Sequence, residues 1–327
     1  MQIRIAAIGV GHWHSLFDAA YLKTLAGMPE IKLVGLHDPD GELAAQRARQ
    51  LGDAPVFTDY RDMLAKVRPD FVIALGRHDA MASTAHYLLD EGYPFLMEKP
   101  MAINAAQLRA VADKAATKRT FAGVPLFQRY HPFLACARTM LAEGTLGHVS
   151  HFYFRAMRPT SARYVDWGAG WMLDPAAAGG GALRNTGLHG IDLFLALCGE
   201  DAAVVGAQIS AKALGQPVED FASVLLRTPS GVLATIETGN TFPGQGGDAD
   251  WRFSGSEALL TVRGGAVWAT TRSGAKQIAD AASEHLSAIA LRDALRRWRN
   301  NDPPATGIED CYRAMRIVDQ AYAIASK

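Results

Sequence analysis

Cysteine is scarce. Cys136, Cys198 and Cys311 are the three in 327 residues, and long intervals separate them. That spacing excludes a disulfide framework and a thiolate zinc site, and points to buried thiols in a reducing cytoplasm. Net charge is missing too: 33 Lys plus Arg balance 33 Asp plus Glu, which leaves no overall electrostatic footprint for nucleic acid or an acidic membrane surface. No apolar run approaches the length of a membrane span. The opening "MQIRIAAIGVGHWH" has glycines and histidines where a signal peptide would carry its apolar region. Tandem repeats and low-complexity segments are absent, and "DPAAAGGG" is too short for a linker. The expectation is a soluble, cytoplasmic protein with no nucleic-acid or membrane partner.

What is present suffices for a large core. A chain of 327 residues accommodates two domains, and 49% hydrophobic with 20% charged residues argues against disorder. The first 125 residues alternate short apolar runs ("IRIAAIGV", "IKLVGLHD", "DFVIALG", "YPFLME") with amphipathic stretches ("SLFDAAYLKTL", "GELAAQRARQL", "AMASTAHYLLDEG", "AAQLRAVADKAAT"). Continuous apolar strands separated by helices predict a parallel sheet covered on both faces, hence a doubly wound α/β fold. After Arg129 the pattern changes. "HVSHFYFRAM" alternates, a long loop runs from Arg158 to Gly181, "LRNTGLHGIDLFLALCG" is helical, and several strands follow, with "TPSG" as a hairpin signal. An antiparallel sheet with helices on one side leaves one face in need of cover. A partner's sheet could supply it, which predicts a homodimer or homotetramer through the C-terminal sheet.

Gly9 permits a tight turn after the first strand and Gly11 lets the backbone approach a pyrophosphate, with the next helix aiming its amides at that anion. Asp38, at the end of the second strand, can accept hydrogen bonds from the adenosine ribose and would repel a 2′-phosphate, favouring NAD over NADP. In "HDPDG" it is equally apt as a turn residue. His12-Trp13-His14 follows the glycines. Zinc is disfavoured because no Cys, Asp or Glu joins the two histidines locally. Two readings stay open: His12 beside the pyrophosphate with His14 packed on the first strand, or an imidazole donating to a phosphate or facing the substrate. Trp13 is placed with His12 among the cofactor-binding positions.

Glu98-Lys99-Pro100 ends the fifth strand, where residues of a parallel sheet face the cofactor crevice. A partly desolvated Lys beside a nicotinamide cation is suited to proton transfer, and a cis Lys99-Pro100 bond fits the sequence. The competing reading is a surface Lys in a turn. Gly179, Gly180 and Gly181 precede a helix on which Asn185, His189 and Asp192 recur at i, i+4 and i+7, one face.

With these residues the chain resembles the glucose–fructose oxidoreductase/inositol dehydrogenase/MocA (Gfo/Idh/MocA) family over nearly its whole length. The resemblance rests on Gly9-x-Gly11, Asp38, "EKPMA", "FQRYHP", "GTLGHV", the Trp-x-x-Asp-Pro…Gly-Gly-Gly run ending in "GLHGID", "FSGSEALLTV" and "TGIEDCYRAMRIVDQAY". It implies an NAD-binding Rossmann domain over residues 1–125 and a substrate-binding and oligomerisation α+β domain over 126–327. That second domain carries a large, mostly antiparallel open sheet, and the closing helix 308–325 packs back near the first. It further implies hydride transfer between the nicotinamide and a sugar, cyclitol or related polyol or keto compound.

Lys99 matches the family's catalytic Lys and His189 its catalytic His, with Asn185 orienting His189 or substrate. Glu98 and Lys99 join Gly9, Gly11, His12, Trp13 and Asp38 at the cofactor. Arg129, Arg158, Tyr164 and Trp171, with Asn185 and His189, are the substrate-binding candidates. Arg184 hints at an acidic substrate, against a solvated Arg on the other face of its helix. Three departures stand out: Asn185 where the family has Asp, Met81 in "LGRHDAM" where it has His, and His14 in the slot of a small residue. The missing Asp motivates an alternative class, an NAD- and ligand-binding sensor without turnover.

Overall fold

Apolar runs near the N-terminus form the strands of a buried parallel sheet in the computed structural model, which describes residues 2–326. The strands are β1 (Ile3–Ile8), β2 (Ile31–His37), β3 (Val56–Phe57), β4 (Phe71–Ala74), β5 (Phe95–Met97) and β6 (Ala122–Gly123). Their order is β3-β2-β1-β4-β5-β6, with every pair parallel. β1 and β4 are neighbours at the point where the winding reverses, so the turn after β1 opens at the carboxyl edge of the sheet, where such folds bind ligands.

By contacts the chain divides into two compact units. One holds the residues up to Pro125 with Ala162–Gly179 and Ser287–Tyr312; the other holds Leu126–Ser161, Gly180–Leu286 and the residues from Arg313. The core of the first gathers Ile5, Phe71, Ile73 and Leu96 from the sheet. The helix Leu286–Arg299 adds Leu291 and Leu295 to that core. Its Trp298 ring lies 5.0 Å from that of Phe71.

One expected element is largely missing. "SLFDAAYLKTL" yields only the short helix Tyr21–Ala26, preceded by a 3₁₀ turn at Trp13–Ser15. Between them Asp18 and Ala20 take left-handed φ values of 53° and 48°. His14 accounts for the delay: a small residue there would let a helix run close along the sheet, whereas its buried imidazole needs room and polar partners.

The second unit is an eight-stranded sheet of β7 (Val149–Pro159), β8 (Ala203–Ser210), β9 (Phe221–Arg227), β10 (Leu233–Phe242), β11 (Asp248–Gly255), β12 (Leu259–Arg263), β13 (Ala266–Thr271) and β14 (Gly274–Ala279). The order is β14-β13-β12-β11-β7-β10-β9-β8, antiparallel except for the β7–β10 pair. "TPSG" forms the β9–β10 hairpin, closed by Thr228 N–H to Val232 O at 2.9 Å. Ala222, Val224 and Leu226 alternate inward along β9.

The helix Leu188–Cys198 covers the inner face. Phe194 stacks on Phe152 at 5.9 Å, and Gly190 lies so close to Phe154 that a Cβ would come within 2.4 Å of its ring. On the other face Tyr153 donates to Glu237 at 2.7 Å and Arg155 bridges Glu237 and Asp248 at 3.0 and 2.8 Å. Val205, Leu225 and Leu233 are exposed large apolar side chains of this sheet. No helix among the described residues is long and apolar enough to cross a membrane.

Candidate functional site

β1 runs into Gly9, whose φ of +70° and close approach to Gly76 (a Cβ would meet its backbone at 2.5 Å) admit no side chain. Gly11 is required for a different reason: the Asp38 carboxylate and the Leu43 side chain occupy the space a Cβ would take. The turn is pinned to the end of β2. Gly9 and Val10 donate their amides to His37 O at 2.8 and 3.0 Å, and Gly11 donates to Asp38 Oδ2 at 2.7 Å. Asp38 Oδ1 also accepts the Asp40 amide at 3.1 Å. The turn role and the ribose role are thus compatible, since a carboxylate offers about four lone-pair directions.

A cavity of about 510 Å³ opens beside this turn. It extends from His37, Thr58 and Tyr60 past Gly9, Gly11, His12 and Asp38 to Met81, Gly168 and Trp171. Of the proposed cofactor residues it brings together Gly9, Gly11, His12 and Asp38, whereas Trp13, Glu98 and Lys99 are outside its lining. Trp13 is buried behind His12: the two rings stack at 3.9 Å, and Tyr164 meets the indole edge-on at 5.2 Å. Trp171, from the segment 162–179, stands 4.9 Å from His78 and 6.0 Å from His12. His78 in turn is hydrogen-bonded to Ala178 O at 2.9 Å.

The two histidines of "HWH" part company. His12 Nδ1 accepts the His14 amide at 3.1 Å. Burial, then the neighbouring His14, His78 and Lys99, hold its pKa well below the usual imidazole value, so the ring is neutral. His14 has its Nδ1 3.3 Å from Glu98 Oε2 and its Nε2 3.5 Å from Asp18 Oδ2. Burial opposes charge on His14, yet Glu98 and Asp18 together outweigh it and raise the pKa. The neighbouring Tyr21 phenol is pushed well up by burial and by Glu98. His14 therefore reaches the end of β5. Glu98, 1% exposed, points into this cluster. Lys99, 3% exposed, follows it through a cis bond to Pro100.

In the second unit, Asn185 lies in a π-helical turn, Leu183–Gly187, that leads directly into the helix bearing His189 and Asp192. All three side chains are buried. Arg129 makes a fork-like pair with Asp192 at 2.8 and 2.6 Å. This ties the "FQRY" turn to the His189 helix and sets the Phe127 ring 4.6 Å from the His189 imidazole. Arg158 is half-buried on β7.

Arg184 is not solvated. It is 3% exposed, donates to Asp319 at 2.7 Å and lies 5.1 Å over the Tyr322 ring. Glu219 escaped the sequence reading. Its buried carboxylate accepts the amides of Gly181 and Leu183 at 2.7 and 2.9 Å and the Tyr322 hydroxyl at 2.7 Å, clamping the glycine turn from which the Asn185–His189 segment departs. The signal available was an acidic pair, Glu219-Asp220, heading an apolar strand. Among the described residues no group of three or more His, Cys, Asp or Glu is placed to hold a metal ion.

A six-stranded doubly wound sheet, a glycine turn over a cavity and an acidic residue closing β2 define the class, a dinucleotide-binding α/β protein with an appended sheet unit. Profiles for "Oxidoreductase family, NAD-binding Rossmann fold" and "GFO/IDH/MocA C-terminal domain" match residues 3–124 and 134–261. The chain belongs to the Gfo/Idh/MocA family of oxidoreductases, and its first domain is an NAD-binding Rossmann domain.

Among its relatives, trans-1,2-dihydrobenzene-1,2-diol dehydrogenase of Macaca fuscata fuscata is 26% identical over 238 residues, 71% of this chain and 66% of the relative. Levoglucosan dehydrogenase of Pseudarthrobacter phenanthrenivorans is 25% identical over 294 residues, 79% and 73% of the two chains. The match thus spans about two thirds to three quarters of these relatives' lengths. The solved structure of levoglucosan dehydrogenase with NADH and levoglucosan superposes with a TM-score of 0.85 at 19% identity, covering 100% of this chain and 97% of that one, a likeness of fold.

Proposed function

We propose that this protein is an NAD-dependent dehydrogenase or reductase that interconverts a hydroxyl and a carbonyl on a ring-shaped polyol, sugar or cyclic diol. The observation that carries the reading is Lys99: a lysine only 3% exposed, two residues beyond the carboxyl end of the parallel strand β5, in the unit that holds the dinucleotide cavity. An amine held at the carboxyl edge of the sheet is a group able to donate or accept a substrate proton. The residues present fit the cofactor. Gly9 and Gly11 clear the floor of the cavity and Asp38 stands ready for a ribose hydroxyl. When bound, NAD supplies the hydride acceptor or donor.

The chain's own part is binding, orientation and the proton. Lys99 and His189 handle the proton of the substrate hydroxyl, and Asn185 orients His189 or the substrate. Arg129, Arg158, Tyr164 and Trp171 are the substrate-binding candidates. The pairing of Arg129 with Asp192 favours an indirect role for it, holding the His189 helix in place. The named activities of the diol and levoglucosan dehydrogenases support a cyclic substrate with neighbouring hydroxyls. The outer sheet face, with Val205, Leu225 and Leu233 exposed, supports self-association through that sheet.

The test is spectrophotometric. The purified protein is offered NAD with a panel of cyclic diols, anhydrosugars, glycosides and inositols, and the matching ketones with NADH. Nicotinamide oxidation or reduction with one compound supports the reading. Tight NADH binding with no turnover across the panel in either direction would replace it with the sensor reading.

A further inference from the structure

In a usual glycine-rich turn the diphosphate is met by free amides at a helix amino terminus. This turn has no such helix, because the chain passes through a single 3₁₀ turn and reaches its first α-helix at Tyr21. Five of its amides are also engaged by the protein itself. Those of Gly9 and Val10 bond His37 O, that of Gly11 bonds Asp38, that of His12 bonds Gly9 O at 3.1 Å and that of His14 bonds His12 Nδ1. The arginine on the cavity wall, Arg77, is held by both oxygens of Asp79 at 3.2 and 2.8 Å.

One donor remains. His12 is one of the residues lining the cavity and is 3% exposed. Because its Nδ1 accepts the His14 amide, the proton of the neutral ring must sit on Nε2. That Nε2 is buried and has no hydrogen-bond partner. A buried donor left unmade costs free energy that a ligand acceptor would recover. Stacking on Trp13 fixes the ring plane, so the donor direction is set before any ligand arrives.

We propose that His12 Nε2–H is a diphosphate ligand of the dinucleotide, an imidazole donor added where a full helix terminus is missing. His14 is part of the device. Its side chain displaces the helix, and its amide locks the His12 tautomer that donates.

Two substitutions separate the two ring nitrogens. The amide of Asn reaches the Nδ1 position, so His12→Asn can still cap the His14 amide but offers nothing at Nε2. The amide of Gln reaches the Nε2 position, so His12→Gln restores that donor without the cap. Binding is read by NADH fluorescence, by calorimetry with ADP-ribose, and by displacement of NADH with adenosine, which carries no diphosphate. Loss of one hydrogen bond to a charged oxygen predicts Kd values for NADH and ADP-ribose raised roughly tenfold to a hundredfold in His12→Asn, with adenosine unchanged and His12→Gln retaining most of the affinity.

Unchanged ADP-ribose affinity in His12→Asn, or an equal loss for adenosine, overturns the proposal. A wild-type protein that binds neither NADH nor ADP-ribose overturns both it and the nucleotide assignment of the cavity on which it rests. Should His12→Asn lack a cooperative melt, the comparison passes to His12→Gln against His12→Leu, which differ in the same donor: equal affinities there refute the assignment, and a loss confined to Leu upholds it.

Discussion

His14 Nδ1 and Glu98 Oε2 lie 3.3 Å apart, both buried, and so join the nucleotide turn to the residue that precedes Lys99. The contact links the first and fifth strands' carboxyl ends through side chains separated by most of the domain's sequence. It replaces the close helix–strand packing that a small residue at position 14 would allow.

The contact has a pH signature. The folded pKa of His14 is raised, so the stability it contributes is fully present below its unfolded value of about 6.5 and fades as pH rises through the higher folded value. His12 acts in the opposite sense: its lowered pKa costs stability as pH falls below about 6.5. Substituting His14→Gln should therefore destabilise most at mildly acidic pH, by about 3 kcal/mol for a broken buried pair, and progressively less in alkaline buffer. Urea unfolding of both proteins across that range reads the difference. A gap that widens with rising pH would contradict the pairing with Glu98 and Asp18.

Lys99→Ala should lower kcat by about 10²–10⁴-fold, the usual worth of a positioned acid or base. The Kd for NADH should change little, because Lys99 is outside the lining of the cavity. Steady-state rates together with fluorescence titration separate the two effects. Turnover surviving within a factor of two would remove Lys99 from the proton path.

Asn185→Asp should preserve or raise activity and shift the pH–rate profile, since a carboxylate one helical turn from His189 would stabilise the imidazolium. Complete loss of turnover would show that the amide itself is needed, as a donor that a carboxylate cannot replace.

The Glu219 clamp predicts coupled stabilities. Tyr322→Phe removes one of three donors and should cost about 1 kcal/mol, whereas Glu219→Ala strands buried amides and should cost about 3 kcal/mol. The double variant should lose less than the sum, because both changes act on one network. Strict additivity in denaturant unfolding would show that the phenol and the carboxylate do not work together.

Asp38→Ala should weaken NAD binding and relax discrimination against NADP, because it removes both a ribose acceptor and the charge that repels a 2′-phosphate. The Gly11 amide would lose its partner as well, so a modest fall in thermal stability should accompany the change. NADP affinity rising toward that for NAD is the diagnostic reading.

What the sequence by itself determined is local and periodic. Unbroken apolar runs specified the parallel strands, "TPSG" the hairpin, Gly9 and Gly11 the turn, and Glu98-Lys99-Pro100 its place at a strand end, because each depends on residues a few positions apart and on backbone preferences. Tertiary structure decided the partners. His14 with Glu98, Arg129 with Asp192, Glu219 with Tyr322, and the helix Leu286–Arg299 against Phe71 all join residues distant along the chain. No periodicity encodes such pairs: a buried charged or polar group takes whichever partner the packed fold brings within reach, so only the fold could show that in "HWH" one imidazole stacks on Trp13 beside a cavity and the other sits between Glu98 and Asp18.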